Sequence, residues 1–208
     1  FILLFIAWLV SIGVVVFVLV IKPKADEKRI NRGLAMTQYQ VKVPKANKKE
    51  QDTKELITVM EQVYAGFTYL KPPRGLGGID PHVSLEIVSP TERDEIHFYI
   101  GVPKGYESIF EKQLHGVYPE ADLTKIDDYN ALTSEGHIRA AYLKLEKNPI
   151  LPIRTYAEME SDPLSVITSA LSKIQANESA VVQLLIKRAP EGWGTKARKV
   201  AKLMKQAG

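Results

Sequence analysis

The 208-residue sequence contains no cysteine. That excludes a disulfide framework, a thiolate metal site and a cysteine nucleophile. Charge is missing from residues 1–21, so all 28 basic and 24 acidic side chains fall after them. The signatures of nucleotide hydrolysis are also missing. A phosphate-cradling loop needs Gly-x4-Gly-Lys-Ser/Thr between a strand and a helix, so that backbone N–H groups converge on phosphate oxygens. Residues 75–78 (GLGG) have no Lys-Ser/Thr after them, and residues 192–196 (GWGTK) have glycine and lysine in the wrong order and spacing. Both read as turns. There is no Gly-x-Ser-x-Gly elbow, and His82, His97, His115 and His137 lie too far apart for a compact metal motif. His97 reads as a surface or sheet-flank histidine. The chain itself is therefore expected to be no enzyme and to need no cofactor.

The charge that is present is unevenly placed. The net +4 divides into about +6 before residue 51, −8 over 51–186 and +6 from Lys187 onward. An acidic body thus sits between two basic ends. Such a body repels phosphate, so nucleic acid is expected to bind only at those ends.

Residues 1–21 (FILLFIAWLVSIGVVVFVLVI) read as a transmembrane helix, because 21 residues at about 1.5 Å each reach across a ~30 Å hydrocarbon core. A cleaved signal peptide has a shorter apolar run and a small-x-small cleavage site, and neither is present here. Residues 22–36 form a basic juxtamembrane connector. Its Lys22, Lys24, Lys28, Arg29 and Arg32 favour a cytoplasmic body by the positive-inside rule and are candidate contacts for anionic lipid. The expected location is the inner (cell) membrane, single-pass, with the lipid bilayer as a partner.

The soluble body alternates between strand and helix periods. Residues 38–43 alternate and stop at Pro44. Leu56, Val59, Met60, Val63 and Phe67 make one helical stripe. Residues 83–87 and 96–102 read as a hairpin. Tyr106, Ile109, Phe110, Leu114 and Val117 make a second stripe, and residues 121–126 a short strand. This order predicts an α+β fold, with a ferredoxin-like sandwich in a domain over 37–129. A second α+β subdomain over 130–208 is expected either to extend the first sheet or to repeat the sandwich in part. It comprises a strand at 138–146 with Ala141, Leu143 and Leu145 on one face, and a helix capped by Asp162 ahead of Pro163. A central-type strand at 180–186 follows, and then a basic helix capped by Thr195. On that helix Lys196, Arg198, Lys199 and Lys202 face outward as candidate lipid or nucleic-acid contacts. An RNA-recognition reading of residues 95–102 fails, because Phe98 and Tyr99 are adjacent and so face opposite sides of the sheet.

Residues 84–129 (SLEIVSPTERDEIHFYIGVPKGYESIFEKQLHGVYPEADLTKIDDY) carry a further likeness. Glu86-Ile87-Val88, Val102-Pro103, the helix over 109–115 and Tyr118-Pro119-Glu120-Ala121-Asp122 are its core, and 153–156 and Asp162-Pro163-Leu164 continue it. The region resembles the membrane-anchored N-terminal part of bacterial type IV secretion and conjugation ATPases. That resemblance implies a non-catalytic anchoring and assembly region. Its partners would be copies of itself in a homo-oligomer and secretion-machinery proteins, and the motor would lie beyond residue 208 in a longer parent. Two rival expectations stand beside it. One is a membrane-tethered scaffold whose acidic body binds a partner protein. The other is a non-specific nucleic-acid binder using the C-terminal basic helix.

Overall fold

The computed structural model describes residues 1–17, 19, 22, 24, 34–42, 53–67, 81–90, 95–127, 129, 136–151, 153, 158, 162–175 and 177–207. The elements are α1 (Ile2–Val16), β1 (Met36–Lys42), α2 (Thr53–Gly66), β2 (His82–Ser89), β3 (His97–Pro103), α3 (Glu107–Val117), β4 (Asp122–Ile126), α4 (Pro163–Leu171), β5 (Ala180–Lys187) and α5 (Trp193–Ala207). The five strands form one antiparallel sheet in the order β4-β1-β3-β2-β5.

Register follows from which side chains need cover. Tyr39 lies opposite Ile100, Ile100 opposite Leu85, and Leu85 opposite Leu184. These residues share the face on which α2 and α3 pack. The core there is Tyr39, Val63, Phe67, Val83, Val102, Phe110 and Leu114. Phe110 is its hub, with ring centroids 5.8 Å from Tyr39 and 6.3 Å from Phe67. Fully burying a phenylalanine contributes roughly 1.5–3 kcal/mol.

Polar groups fasten the same layers. The Tyr39 hydroxyl donates to Glu111 Oε1 at 2.7 Å, joining β1 to α3. Glu107 accepts from Thr37 Oγ1 at 2.9 Å and from the Gly105 N–H at 2.6 Å. Gly105 takes a φ of 92°, open to glycine without strain, and this turns the chain from β3 into α3.

Four expectations are corrected. The 21-residue transmembrane helix is not found: α1 has 15 residues and reaches about 22 Å at 1.5 Å per residue. Among the described residues no helix is long and apolar enough to cross a membrane. Phe17 after α1 still has a helical backbone (φ −60°, ψ −50°), and residues 18, 20 and 21 lie outside the described set.

Residues 138–146 form no strand. They are exposed and carry no ladder, because alternation alone sets which side chains share a face and not which edge a segment joins. Of the two expectations for the second half, β5 follows the first: it extends the first sheet, at its rim rather than as a central strand. Finally, α5 starts at Trp193, which puts Thr195 inside the first turn instead of at the cap. The Asp162 cap is present, its Oδ1 accepting from the Leu164 N–H at 2.9 Å.

Candidate functional site

Two groupings of polar side chains stand out. The first lies on the sheet face opposite the core. Gln40, Tyr99, Glu86 and Gln183 are successive partners across β1, β3, β2 and β5, a transverse row that the register creates. Glu86 is buried, 4% exposed. Gln183 Nε2 donates to its Oε1 at 2.9 Å, and the Tyr129 hydroxyl donates to its Oε2. The Tyr129 ring stacks on Tyr99 with centroids 4.7 Å apart, closing over the carboxylate.

His97 extends the cluster. Gln40 Nε2 lies 2.9 Å from its Nδ1, and donation in that sense leaves the ring proton on Nε2. His97 is buried rather than a surface or flank residue. Both Glu86 oxygens are engaged with uncharged donors. Among the described residues these polar atoms bond one another, which makes the cluster a hydrogen-bonded network across the sheet.

The second grouping is α5. Trp193, Ala197, Val200 and Met204 fall on one stripe at helical spacing, with Leu203 beside it. Ala197 and Val200 are half-buried, while Trp193, Leu203 and Met204 remain exposed. Arg198, Lys199, Lys202 and Lys205 occupy the opposite arc, and Lys196 flanks the apolar stripe. All five are exposed. Arg198 Nη2 donates to Thr195 Oγ1 at 3.4 Å, so its guanidinium lies back along the helix. The structure thus brings Lys196, Arg198, Lys199 and Lys202 onto one exposed helix. Lys22 and Lys24 are exposed near the other end of the chain, and Lys28, Arg29 and Arg32 lie outside the described residues.

Residues 22–208 match a family described as Domain of unknown function (DUF8128). The chain belongs to this family. No curated protein matches the chain, and no solved structure does. The family match covers every element from β1 to α5 and leaves α1 outside it. Both groupings therefore fall within the family's span. Among the described residues no group of His, Asp and Glu is placed to hold a metal ion.

The sequence reading missed the Glu86 network. Its visible trace was polarity out of place: Ser84 and Glu86 in an otherwise apolar strand, and Gln183 alone among apolar neighbours. Which of these residues would meet depends on register, which the sequence does not display.

Other titrating groups report packing. Burial raises the Tyr39 phenol far above its ordinary range, and the Glu111 carboxylate it bonds adds to that. Burial also raises Tyr64, with Tyr118 contributing, and Tyr118 itself. Burial alone would raise Glu107. Hydrogen bonds from its own backbone N–H, Thr37 and Gly105, with Lys125 nearby, hold it below the usual carboxylate range instead.

Proposed function

We propose that this chain is a non-catalytic assembly domain that docks on an anionic lipid surface through α5. The observation that carries the reading is the pairing, on one helix, of exposed apolar residues with a basic arc. A helix of this kind lies in a headgroup layer with its apolar stripe inward and its cations against phosphates. Nucleic acid would satisfy the cations but not Trp193, Leu203 and Met204, whose exposure favours lipid. α1, exposed and apolar on all sides, adds a second element suited to an apolar surrounding.

The likeness of residues 84–129 to the N-terminal regions of secretion and conjugation ATPases supports a place beside such a motor. The surface would then be the cytoplasmic leaflet of the cell membrane, which is rich in anionic lipid. The protein partners would be components of that machine.

Flotation of the full chain with phosphatidylcholine vesicles, with and without phosphatidylglycerol, tests the docking. α1 gives the same background on both compositions, and the basic connector adds to the anionic preference, so the part of the difference lost on replacing the α5 cations reports α5. Each neutralised cation near the surface removes about 1 kcal/mol. Replacing Lys196, Arg198, Lys199 and Lys202 by Gln should therefore weaken the anionic preference by up to about a thousandfold. Equal binding to both vesicles by the unaltered chain would overturn the proposal. So would salt-sensitive binding to duplex DNA by a chain that ignores both vesicles.

A further inference from the structure

β5 is bound on one side only. All eight of its residues pair with β2, from His82↔Lys187 to Ser89↔Ala180, and among the described residues no strand lies along its other edge. An open edge is a template for another strand, and natural proteins guard such edges with charge, proline or a bulge. Residues 180–186 contain none of these: the sequence AVVQLLI has neither charge nor proline, and its pairing to β2 is unbroken. The edge is also apolar on both faces. Val182 and Leu184 are exposed on the core side of the sheet and Val181 and Leu185 on the other.

The same chain carries the counterpart. Residues 138–146 (IRAAYLKLE) alternate as a strand does, yet lie outside any ladder. Leu143 is fully exposed and Tyr142 is 84% exposed, and among the described residues the segment pairs with no strand, β5 included. We propose that two copies exchange this segment, each laying residues 138–146 along the free edge of the other's β5.

Length and pattern support the match. Nine residues meet an eight-residue strand. Ala141, Leu143 and Leu145 share one face of the segment and continue the apolar row of Val182, Leu184 and Ile186. Ile138, Ala140, Tyr142, Lys144 and Glu146 then fall on the side of Val181, Gln183, Leu185 and Lys187. With the faces so aligned, Leu143 lies opposite Leu184 whichever way the incoming strand runs. Each chain has one uncharged, proline-free edge at β5 and one strand to place, so a two-fold exchange supplies both in both copies; the incoming segment then forms the rim, where Arg139, Lys144 and Glu146 supply the guarding charge that β5 lacks. The backbone N–H and C=O groups that face the new ladder gain partners on both segments in the same step. This inference stands on the sheet edge and is independent of lipid binding by α5.

The absence of cysteine makes the test clean. Full chains carrying Leu143→Cys alone and Leu184→Cys alone are purified in mild detergent, which keeps α1 dispersed, and mixed under mild oxidation. Neighbouring strands lie about 4.8 Å apart, within the Cα separation a disulfide spans. The expected result is a disulfide-linked dimer in the mixture and in neither variant alone. Light scattering should find two chains per particle for the unaltered protein and one for Leu143→Pro. That variant should keep its far-UV spectrum, because the segment lies outside the fold. Three outcomes would overturn the proposal. They are self-linking of Leu184→Cys, which means edge meets edge; a disulfide within a single chain in the double variant at high dilution; and monomers that never link.

Discussion

Replacing Gly101 by alanine probes the tightest contact on the polar face of the sheet. Gly101 faces Gln38 on one side and Ser84 on the other. A Cβ there would lie 2.2 Å from Ser84 Oγ and 3.0 and 3.1 Å from the Gln38 amide atoms. Comfortable carbon contacts begin near 3.5 Å, so the Ser84 overlap exceeds 1 Å. Ser84 is 3% exposed, which leaves it little room to retreat. Overpacking of this kind costs about 1–3 kcal/mol. Against it stands the smaller conformational freedom of an unfolded chain with alanine, which stabilises by about 0.4–1 kcal/mol. The net expectation is a loss of about 1–2 kcal/mol. Ser84→Ala removes the main obstruction, and it costs little by itself because Ser84 Oγ is buried without a hydrogen-bond partner. Gly101→Ala should then cost about 1 kcal/mol less in the Ser84→Ala background than in the unaltered chain. Urea unfolding followed by far-UV circular dichroism gives the four free energies of the cycle. Equal costs in the two backgrounds, or a stabilised Gly101→Ala, would refute the contact argument.

Tyr39→Phe removes the donor to Glu111 and should lower stability by about 1–2 kcal/mol. Because the folded-state pKa of Tyr39 is raised, its contribution is complete below the unfolded phenol value near pH 10 and fades as pH rises past it. The phenylalanine variant should lack that part of the alkaline loss, as urea midpoints between pH 7 and 11 would report. Glu107 works in the opposite sense. Its pKa is lowered on folding, so its contribution is present above the unfolded value near 4.3 and is lost as pH falls through the folded one. Midpoints measured from pH 7 to 3 should fall less steeply for Glu107→Gln, and parallel curves would remove Glu107 from the acid response.

Local pattern predicted the elements whose partners are near in sequence. The helical stripe through Val63 and Phe67 and that through Phe110 and Leu114 both face the core, because each needs only an apolar surface beside it. Ile109, assigned to the second stripe, is 43% exposed; it lies at the margin of the arc that the sheet covers. The hairpin of β2 and β3 pairs as the alternation implies. What failed depends on distant partners. Residues 138–146 have the pattern of a strand and pair with no edge of their own chain, and β5 has the composition of a central strand but lies at the rim. The apolar run at residues 1–21 was read by length alone. Length gives a span only if one regular helix covers the whole run, and the regular α-helix is described over Ile2–Val16. Of the candidate site, the α5 cations were legible from spacing. The buried Glu86 was not, since its two donors come from residues 129 and 183.

Those two donors explain how β5 can be both slippery and fixed. In AVVQLLIK the core-side parity (Ala180, Val182, Leu184, Ile186) is wholly apolar while the other carries Gln183 and Lys187, so burial fixes the face; sliding β5 by two residues along β2 keeps the faces and exchanges one apolar core-side residue for another at little cost. Among registers two residues apart, hydrophobicity therefore does not choose. Gln183 does: it is the single polar residue before Lys187, and only in the observed register does it stand opposite Glu86 and donate to it. A slip would leave a 4%-exposed carboxylate with one donor fewer and would bring an apolar side chain against it, a loss of about 1–3 kcal/mol for one buried polar group. A polar network on the far side of the sheet from the core thus sets the strand that the core cannot. It does so without covering the outer edge of that strand, which stays free to receive another.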